Sequence, residues 1–131
     1  QRSLEMMCDR ANSRVAFHRP LIKQLSVRED VARSICEVEQ ARLLSLKAAY
    51  QMDTVGNNDA RDIIAMIKIV APKMACDIIE RAMQIYGALG LSQDTVLAEM
   101  YVYARTLRIA DGPDQVHMMQ LGRDYAAARL T

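Results

Sequence analysis

The sequence has few of the residues that interrupt helices and few aromatic rings. Its 131 residues include five glycines, three prolines, one phenylalanine and no tryptophan, whereas hydrophobic residues make up 51%. Glycine and proline oppose helix formation most strongly, so their scarcity beside abundant Ala, Leu, Ile, Met, Arg and Glu favours helix throughout. The length fits about one domain. The sequence therefore predicts an all-α domain that spans residues 1–131.

The sequence also lacks an excess of charge and a long apolar run. Its net charge is +1 at pH 7, so composition implies no bulk attraction to nucleic acid or to an anionic membrane. No apolar run approaches the roughly 18 residues that a membrane-spanning helix needs. No signal peptide is recognisable at the start. We therefore expect no nucleic-acid partner and no membrane-spanning segment.

Metal-binding patterns are missing as well. The three cysteines, Cys8, Cys36 and Cys76, form no C-x-x-C pair, and the two histidines are far apart. The Glu-x-x-His pairs of a metal-carboxylate bundle are also lacking, so no metal site is predicted. An odd number of cysteines in Met-rich helical surroundings predicts buried, reduced thiols and an intracellular, reducing compartment.

Apolar residues recur at helical spacing in five segments separated by short turns. The predicted helices cover residues 3–14, 26–52, 59–89, 95–109 and 113–129. Pro72 lies inside the third segment, and the absence of turn residues beside it favours one kinked helix over the alternative of two helices that meet near Ala71. The short connections predict an antiparallel, up-and-down bundle like a four-helix bundle. Because the helical pattern is already under way at Gln1, we expect a truncated first helix and a fragment of a longer protein.

The second predicted helix is apolar around more than one face. Val31, Ile35 and Val38 lie on one side, and other residues broaden this surface: Cys36, Leu43, Leu46 and Tyr50. Such breadth predicts a second packing partner, either further domains or another subunit. In the last helix, Val116 and Met119 are expected to face inward.

The segment from Arg105 to His117 places a carboxylate at a break between two helices. Gly112 permits a turn that a side chain would resist, and Pro113 suits the first turn of a following helix. Asp111 therefore lies at or just before a helix start, where residue type alone predicts an N-cap. A lone histidine such as His117 is more typical of a structural residue than of a catalytic base, because no nucleophile accompanies it.

This Asp-Gly-Pro-Asp run with its later Val-His resembles the C-terminal catalytic segment of acyl-CoA dehydrogenases, in the branch of large multidomain members. The resemblance implies that Asp111 is the base that removes the α-proton of the substrate. It also implies roles for its neighbours: Ala110, Gly112 and Arg123 toward acyl-CoA, and Asp114 and Gln115 toward FAD. Without the resemblance, Asp114 and Gln115 are ordinary first-turn residues, and Arg123 forms a surface salt bridge.

Two further motifs carry the same resemblance. Residues 14–19 resemble the family's Arg-x-x-Phe-Gly-Lys segment, which implies that Arg14 pairs with the FAD diphosphate across a subunit boundary and that Phe17 lies against the cofactor. Residues 84–90 resemble a Gln-x-x-Gly-Gly-x-Gly stretch that touches the adenosine part of the flavin. That match implies three further FAD contacts, Gln84, Gly87 and Ala88. His18 and Ala88 stand where the family has glycine; without the resemblance, Arg14 is a solvated helix-end charge.

The implied function is FAD-dependent α,β-dehydrogenation of acyl-CoA thioesters, as in fatty acid β-oxidation. This domain would supply the base and part of the FAD site, and the isolated fragment would be inactive. The implied partners are acyl-CoA, a homodimer or homotetramer, and electron-transfer flavoprotein or oxygen as electron acceptor. The compartment would be mitochondrial or peroxisomal in a eukaryote and cytoplasmic in a bacterium. The alternative is a non-enzymatic helical interaction or oligomerisation module that keeps the fold without the flavin.

Overall fold

The computed structural model describes residues 1–129, which form five α-helices and a small hairpin. The helices are α1 (Arg2–Ser13), α2 (Leu25–Val55), α3 (Arg61–Tyr86), α4 (Leu97–Thr106) and α5 (Asp114–Ala127). After α1, strands β1 (Val15–Ala16) and β2 (Arg19–Pro20) pair antiparallel. Short 3-10 helices cover Leu21–Lys23 and Gly87–Leu91. The all-α class is confirmed, and the hairpin within the first connection is an addition to the prediction.

Helix α3 is the centre of the bundle, because each of the other four helices packs against it. The larger buried cluster joins α1, α3 and α4, and its members are Met7, Cys76, Ile79, Ala82, Leu97 and Ala104. A smaller cluster of Ala48, Ala60 and Ile63 joins α2 to the start of α3. Full burial of one large apolar side chain stabilises a fold by about 1.5–3 kcal/mol, so these clusters hold the helices around α3.

Pro72 lies inside α3, which decides between the two interpretations in favour of one continuous helix. Proline has no N–H to donate to the carbonyl four residues earlier, which is that of Lys68. The helix ends at Tyr86, three residues before the predicted end. Gly87 takes φ +66° and ψ −144° there, a backbone conformation that glycine adopts readily and other residues do not.

Helix α2 buries the expected face in part: Val31 and Val38 are half-buried on the inner side, and Ile35 is not. Its buried residues are Val27, Ser34, Ala41 and Ala48, which repeat every seven residues, or two turns. Ile35 was expected on the inner side but is 50% exposed, because mostly small residues form the contact. The residues expected to broaden the apolar surface do lie outside: Leu43, Leu46 and Tyr50 are all more than half exposed.

Two other burial expectations are corrected. Val116 and Met119 of α5 face solvent, because α5 turns half-buried His117 and Leu121 toward α3 instead. Of the cysteines, Cys76 is buried, Cys8 is half-buried and Cys36 is exposed.

Two features of the described residues bear on the classes of ligand. Across residues 1–129, no helix is both long and apolar enough to cross a bilayer. The same residues include no group of three or more His, Cys, Asp or Glu side chains arranged to hold a metal ion.

Candidate functional site

The connection between α4 and α5 is a tight turn with Asp111 at its tip. Asp111 has φ +53° and Gly112 has φ +94°, so two consecutive residues occupy the left-handed region. Glycine enters this region without strain, whereas a Cβ at Gly112 would also lie 3.1 Å from Nε2 of His117. The N-cap of α5 is Pro113 rather than Asp111, which corrects the capping expectation. Asp111 thus lies two residues before that N-cap.

Side chains from α3 and α5 hold this turn. Nζ of Lys68 donates to the carbonyl of Leu107 and, at 2.7 Å, to the carbonyl of Ala110. Nε2 of His117 lies 3.3 Å from the carbonyl oxygen of Asp111. The residues flanking Asp111 are therefore tied to two different helices.

A buried ion pair joins the two ends of the same turn. Nε of Arg108 donates to Oδ2 of Asp114 at 2.7 Å, and the Asp114 N–H donates to the Arg108 carbonyl at 3.2 Å. The Asp114 side chain is 5% exposed, and its Oδ1 finds no hydrogen-bond partner among the described residues. The hydrogen bond to Asp114 raises the pKa of the Arg108 guanidinium. In this arrangement the Asp114 carboxylate braces the turn and is not open to a cofactor.

Asp111 itself lies on the wall of an open groove with a cavity volume of about 470 Å³. The lining is mostly apolar and includes Ile64, Ile67, Ala71, Pro72 and Leu107, beside Lys68 and His117. Within residues 1–129, no hydrogen bond or ion pair engages the Asp111 carboxylate, and none uses its backbone N–H. The site therefore offers a free proton acceptor and a free backbone donor beside an apolar surface.

The two residues matched to the diphosphate-binding motif lie on the hairpin that follows α1. Phe17 and His18 have φ +53° and +63°, as expected for a two-residue turn of type I′. Phe17 at the tip is 84% exposed, and the Arg14 side chain also faces solvent. The left-handed φ of His18 explains why a glycine suits this position, because histidine bears strain there that glycine avoids.

The adenosine-motif residues lie at the C-terminal end of α3. Gln84, Gly87 and Ala88 are exposed, and Gln84 and Gly87 line a groove of about 320 Å³ with Leu91 and Tyr101. The closely packed glycine of this segment is Gly90, for which no FAD contact was predicted. A Cβ there would lie 2.8 Å from the Met83 carbonyl oxygen.

One chain does not bring all the predicted site residues together. Gln84 lies 16 residues beyond Lys68 on α3, which at 1.5 Å per residue is about 24 Å along the helix from the residue that contacts the Asp111 turn. Gln115 is exposed in the first turn of α5. Nε of exposed Arg123 lies 3.0 Å from Oδ1 of Asp124, which matches its surface-pair alternative.

Lys68 was missed by sequence reasoning. A single lysine within the apolar run of residues 63–72 was the available signal, but its partners are 39 and 42 residues away along the chain. Nothing local in the sequence reveals such a distant pairing.

Comparisons with known proteins agree with this fold. The family model described as "Acyl-CoA dehydrogenase, C-terminal domain" matches residues 1–126. "Probable acyl-CoA dehydrogenase FadE2" of Mycobacterium tuberculosis is 50% identical over 94% of this chain, which covers 30% of that protein. Human "Acyl-CoA dehydrogenase family member 11" is 47% identical over the whole chain, which covers 17% of that protein.

A solved structure shows the same architecture. Butyryl-CoA dehydrogenase from Megasphaera elsdenii superposes with a TM-score of 0.88 and 27% sequence identity, over 95% of this chain and 32% of that chain. The chain thus spans less than a third of each of these relatives. It belongs to the acyl-CoA dehydrogenase family and matches that family's C-terminal domain.

Proposed function

We propose that this domain takes part in FAD-dependent α,β-dehydrogenation of acyl-CoA thioesters, with Asp111 as the base that removes the α-proton. One observation carries the proposal: the Asp111 carboxylate is free of partners within the described residues and lies on the wall of an apolar groove. A structural carboxylate would instead be expected to cap a helix or to pair with a cation, as Asp114 does.

The Asp111 residue supplies two groups to this reaction. Its carboxylate accepts the α-proton, and its backbone N–H donates to the thioester oxygen as negative charge develops there. A proton beside a thioester is a weak acid, so such donors are needed to stabilise the enolate-like oxygen. The apolar lining of the groove accommodates the hydrocarbon chain, and the bound chain would exclude water from the base. Ala110 and Gly112 form the backbone on either side, and Arg123 is proposed to reach a CoA phosphate.

The chain also offers residues that fit FAD. Arg14 presents an exposed guanidinium whose planar fork suits a diphosphate, and Phe17 presents an exposed ring on a fixed hairpin turn. Gln84, Gly87 and Ala88 are open to an adenosine group, and Gln115 lies exposed beyond the Asp111 turn. When bound, the flavin supplies the acceptor for the β-hydride. The Asp114 side chain is left out of the proposed contacts because its carboxylate is buried against Arg108.

A complete site requires more than this chain in isolation. Because Arg14 and Phe17 are exposed and the end of α3 lies far along that helix from the residue that contacts the Asp111 turn, we propose that Arg14 and Phe17 serve a neighbouring subunit in a homodimer or homotetramer. The exposed apolar residues of α2 favour such association. The isolated domain is accordingly proposed to be inactive, with electron-transfer flavoprotein or oxygen as the acceptor for the whole protein. An intracellular, reducing compartment stays a prediction.

The test is Asp111→Asn in the full-length protein that carries this domain. We expect flavin absorbance to be retained and acyl-CoA dehydrogenation to fall about 100-fold or more, since a positioned base contributes about 10²–10⁴ in rate. The matched control is Asp53→Asn, which neutralises an exposed carboxylate near the end of α2 and should leave turnover unchanged. Retained turnover in Asp111→Asn would remove Asp111 from the mechanism.

A second candidate function is a non-enzymatic association module, which the exposed side chains of Leu43, Leu46 and Tyr50 favour. The two candidates differ in one simple observable, the visible absorbance of bound flavin in the full-length protein. Its presence supports the dehydrogenase, and its absence after reconstitution with FAD supports the association module.

A further inference from the structure

Lys68 occupies an unusual position for a lysine. It lies half-buried in the middle of α3, on the wall of the same groove as Asp111. Its Nζ donates to the carbonyls of Leu107 and Ala110, which follow the last residue of α4. Carbonyls at a helix C-terminus lack partners within the helix, and a cation there also complements the helix dipole.

The hydrogen bond from Lys68 to the Ala110 carbonyl also constrains the next backbone atom, the nitrogen of Asp111. The Ala110 carbonyl and the Asp111 N–H belong to the same peptide group, which is planar and trans. In such a group the C=O and N–H point in opposite directions. Fixing the carbonyl on Lys68 therefore fixes the direction of the Asp111 N–H. A hydrogen bond from an ammonium group also polarises the peptide and strengthens its N–H as a donor.

We propose that Lys68 is a positioning residue that aims the Asp111 N–H and the adjoining carboxylate at the reacting thioester. This inference rests on the proposed function, because it gives Lys68 its role through Asp111. The ends of the turn are already joined by the Arg108–Asp114 pair and by the Asp114 N–H bond to the Arg108 carbonyl. Lys68 is thus available to set the orientation of one peptide group within a turn that other contacts close.

The experiment compares variants of the full-length protein loaded with FAD. Lys68→Met removes both hydrogen bonds and keeps an unbranched side chain, and Lys68→Arg keeps a charged donor. The matched control is Lys73→Met on the same helix, whose side chain is 55% exposed and pairs with Asp77. Each variant is measured for flavin content, kcat, KM and the isotope effect on kcat with an α-deuterated acyl-CoA.

We expect Lys68→Met to lower kcat by about 10- to 100-fold, since small misplacements in an active site cost this much. KM should change little, and the α-deuterium isotope effect should rise because proton abstraction becomes slower than the other steps. Lys68→Arg should recover part of the loss. A merely structural lysine would not raise the isotope effect in a protein that still holds its flavin.

Three results would overturn the inference. In the first, Lys68→Met matches Lys73→Met in kcat and isotope effect. In the second, kcat falls while the isotope effect is unchanged. In the third, neither Lys68→Met nor Lys68→Gln folds although Lys73→Met does, which would make Lys68 a folding residue. The Asp111→Asn variant separates the two proposals: if it is inactive while Lys68→Met matches its control, the positioning role alone fails.

Discussion

Removal of the Arg108 guanidinium tests whether a buried ion pair braces the Asp111 turn. In Arg108→Met the Asp114 carboxylate, whose side chain is 5% exposed, loses its counter-ion, and its other oxygen already lacks a hydrogen-bond partner among the described residues. Methionine preserves much of the apolar stem of arginine, so the change isolates the charge and its hydrogen bond.

The magnitude follows from the burial of the two partners. Leaving one charge of a fully buried pair alone costs about 3–5 kcal/mol. The Arg108 side chain is 27% exposed, so water reaches part of the pair, and the lower end of that range applies. We expect a loss of about 3 kcal/mol in the free energy of unfolding, which lowers Tm by about 10 °C for a domain of this length.

The assay is equilibrium urea unfolding of the 131-residue chain, followed by far-ultraviolet circular dichroism. Asp114→Asn is the companion variant and should cost about 1 kcal/mol, because the hydrogen bond persists and half-buried Arg108 keeps access to water. The double variant should be more stable than Arg108→Met, since it buries no unpaired charge. The reasoning is refuted if Arg108→Met costs less than Asp114→Asn, or if the double variant is the least stable.

Two further predictions concern glycine packing and thiol exposure. Gly90→Ala should destabilise the chain by about 1–3 kcal/mol, because its Cβ would lie 2.8 Å from the Met83 carbonyl oxygen. The control is Gly122→Ala on α5, because its Cβ would meet nothing within 4 Å, and it should stabilise the chain by about 0.5–1 kcal/mol. Equal changes in the free energy of unfolding in urea for the two variants would contradict the close packing of Gly90. At about pH 8 a thiol reagent should modify exposed Cys36 before Cys76, because burial raises the pKa of the Cys76 thiol and the thiolate is the reactive form. Labelling of Cys76 should increase only as the pH rises above its ordinary pKa of 9.0, and peptide mapping that finds Cys76 labelled first would contradict the burial.

The sequence predicted what depends on local composition and helical spacing. Five helical segments, the short turns and the continuous α3 across Pro72 follow from apolar spacing and from the absence of turn residues beside the proline. Which residues of a helix are buried depends on its neighbours, and here the prediction held at Val31 and Val38 but failed at Ile35. Apolar character favoured Ile35 on α2, yet close packing selected the small residues Ser34, Ala41 and Ala48.

The turn at the candidate site was predictable from the sequence, but the contacts that hold it were not. The Asp-Gly pair signalled the turn, because glycine is suited to the left-handed backbone that Gly112 adopts. The N-cap assignment of Asp111 failed because the left-handed backbone extends back to the aspartate itself. The contacts of Lys68 could not be predicted for a different reason, because its hydrogen-bond partners lie 39 and 42 residues away along the chain.

The Asp111 turn combines exposure with restraint, and the proposed proton abstraction requires both. An exposed loop tip is ordinarily mobile, and a mobile base must be ordered each time a substrate binds. Here Lys68 and His117 hold carbonyls on either side of the aspartate N–H, while the Arg108–Asp114 pair joins the ends of the turn. The left-handed strain at Asp111 persists because these contacts over-determine its backbone. Ordering is thus completed when the domain folds, and the carboxylate remains free to meet the proposed acyl-CoA substrate.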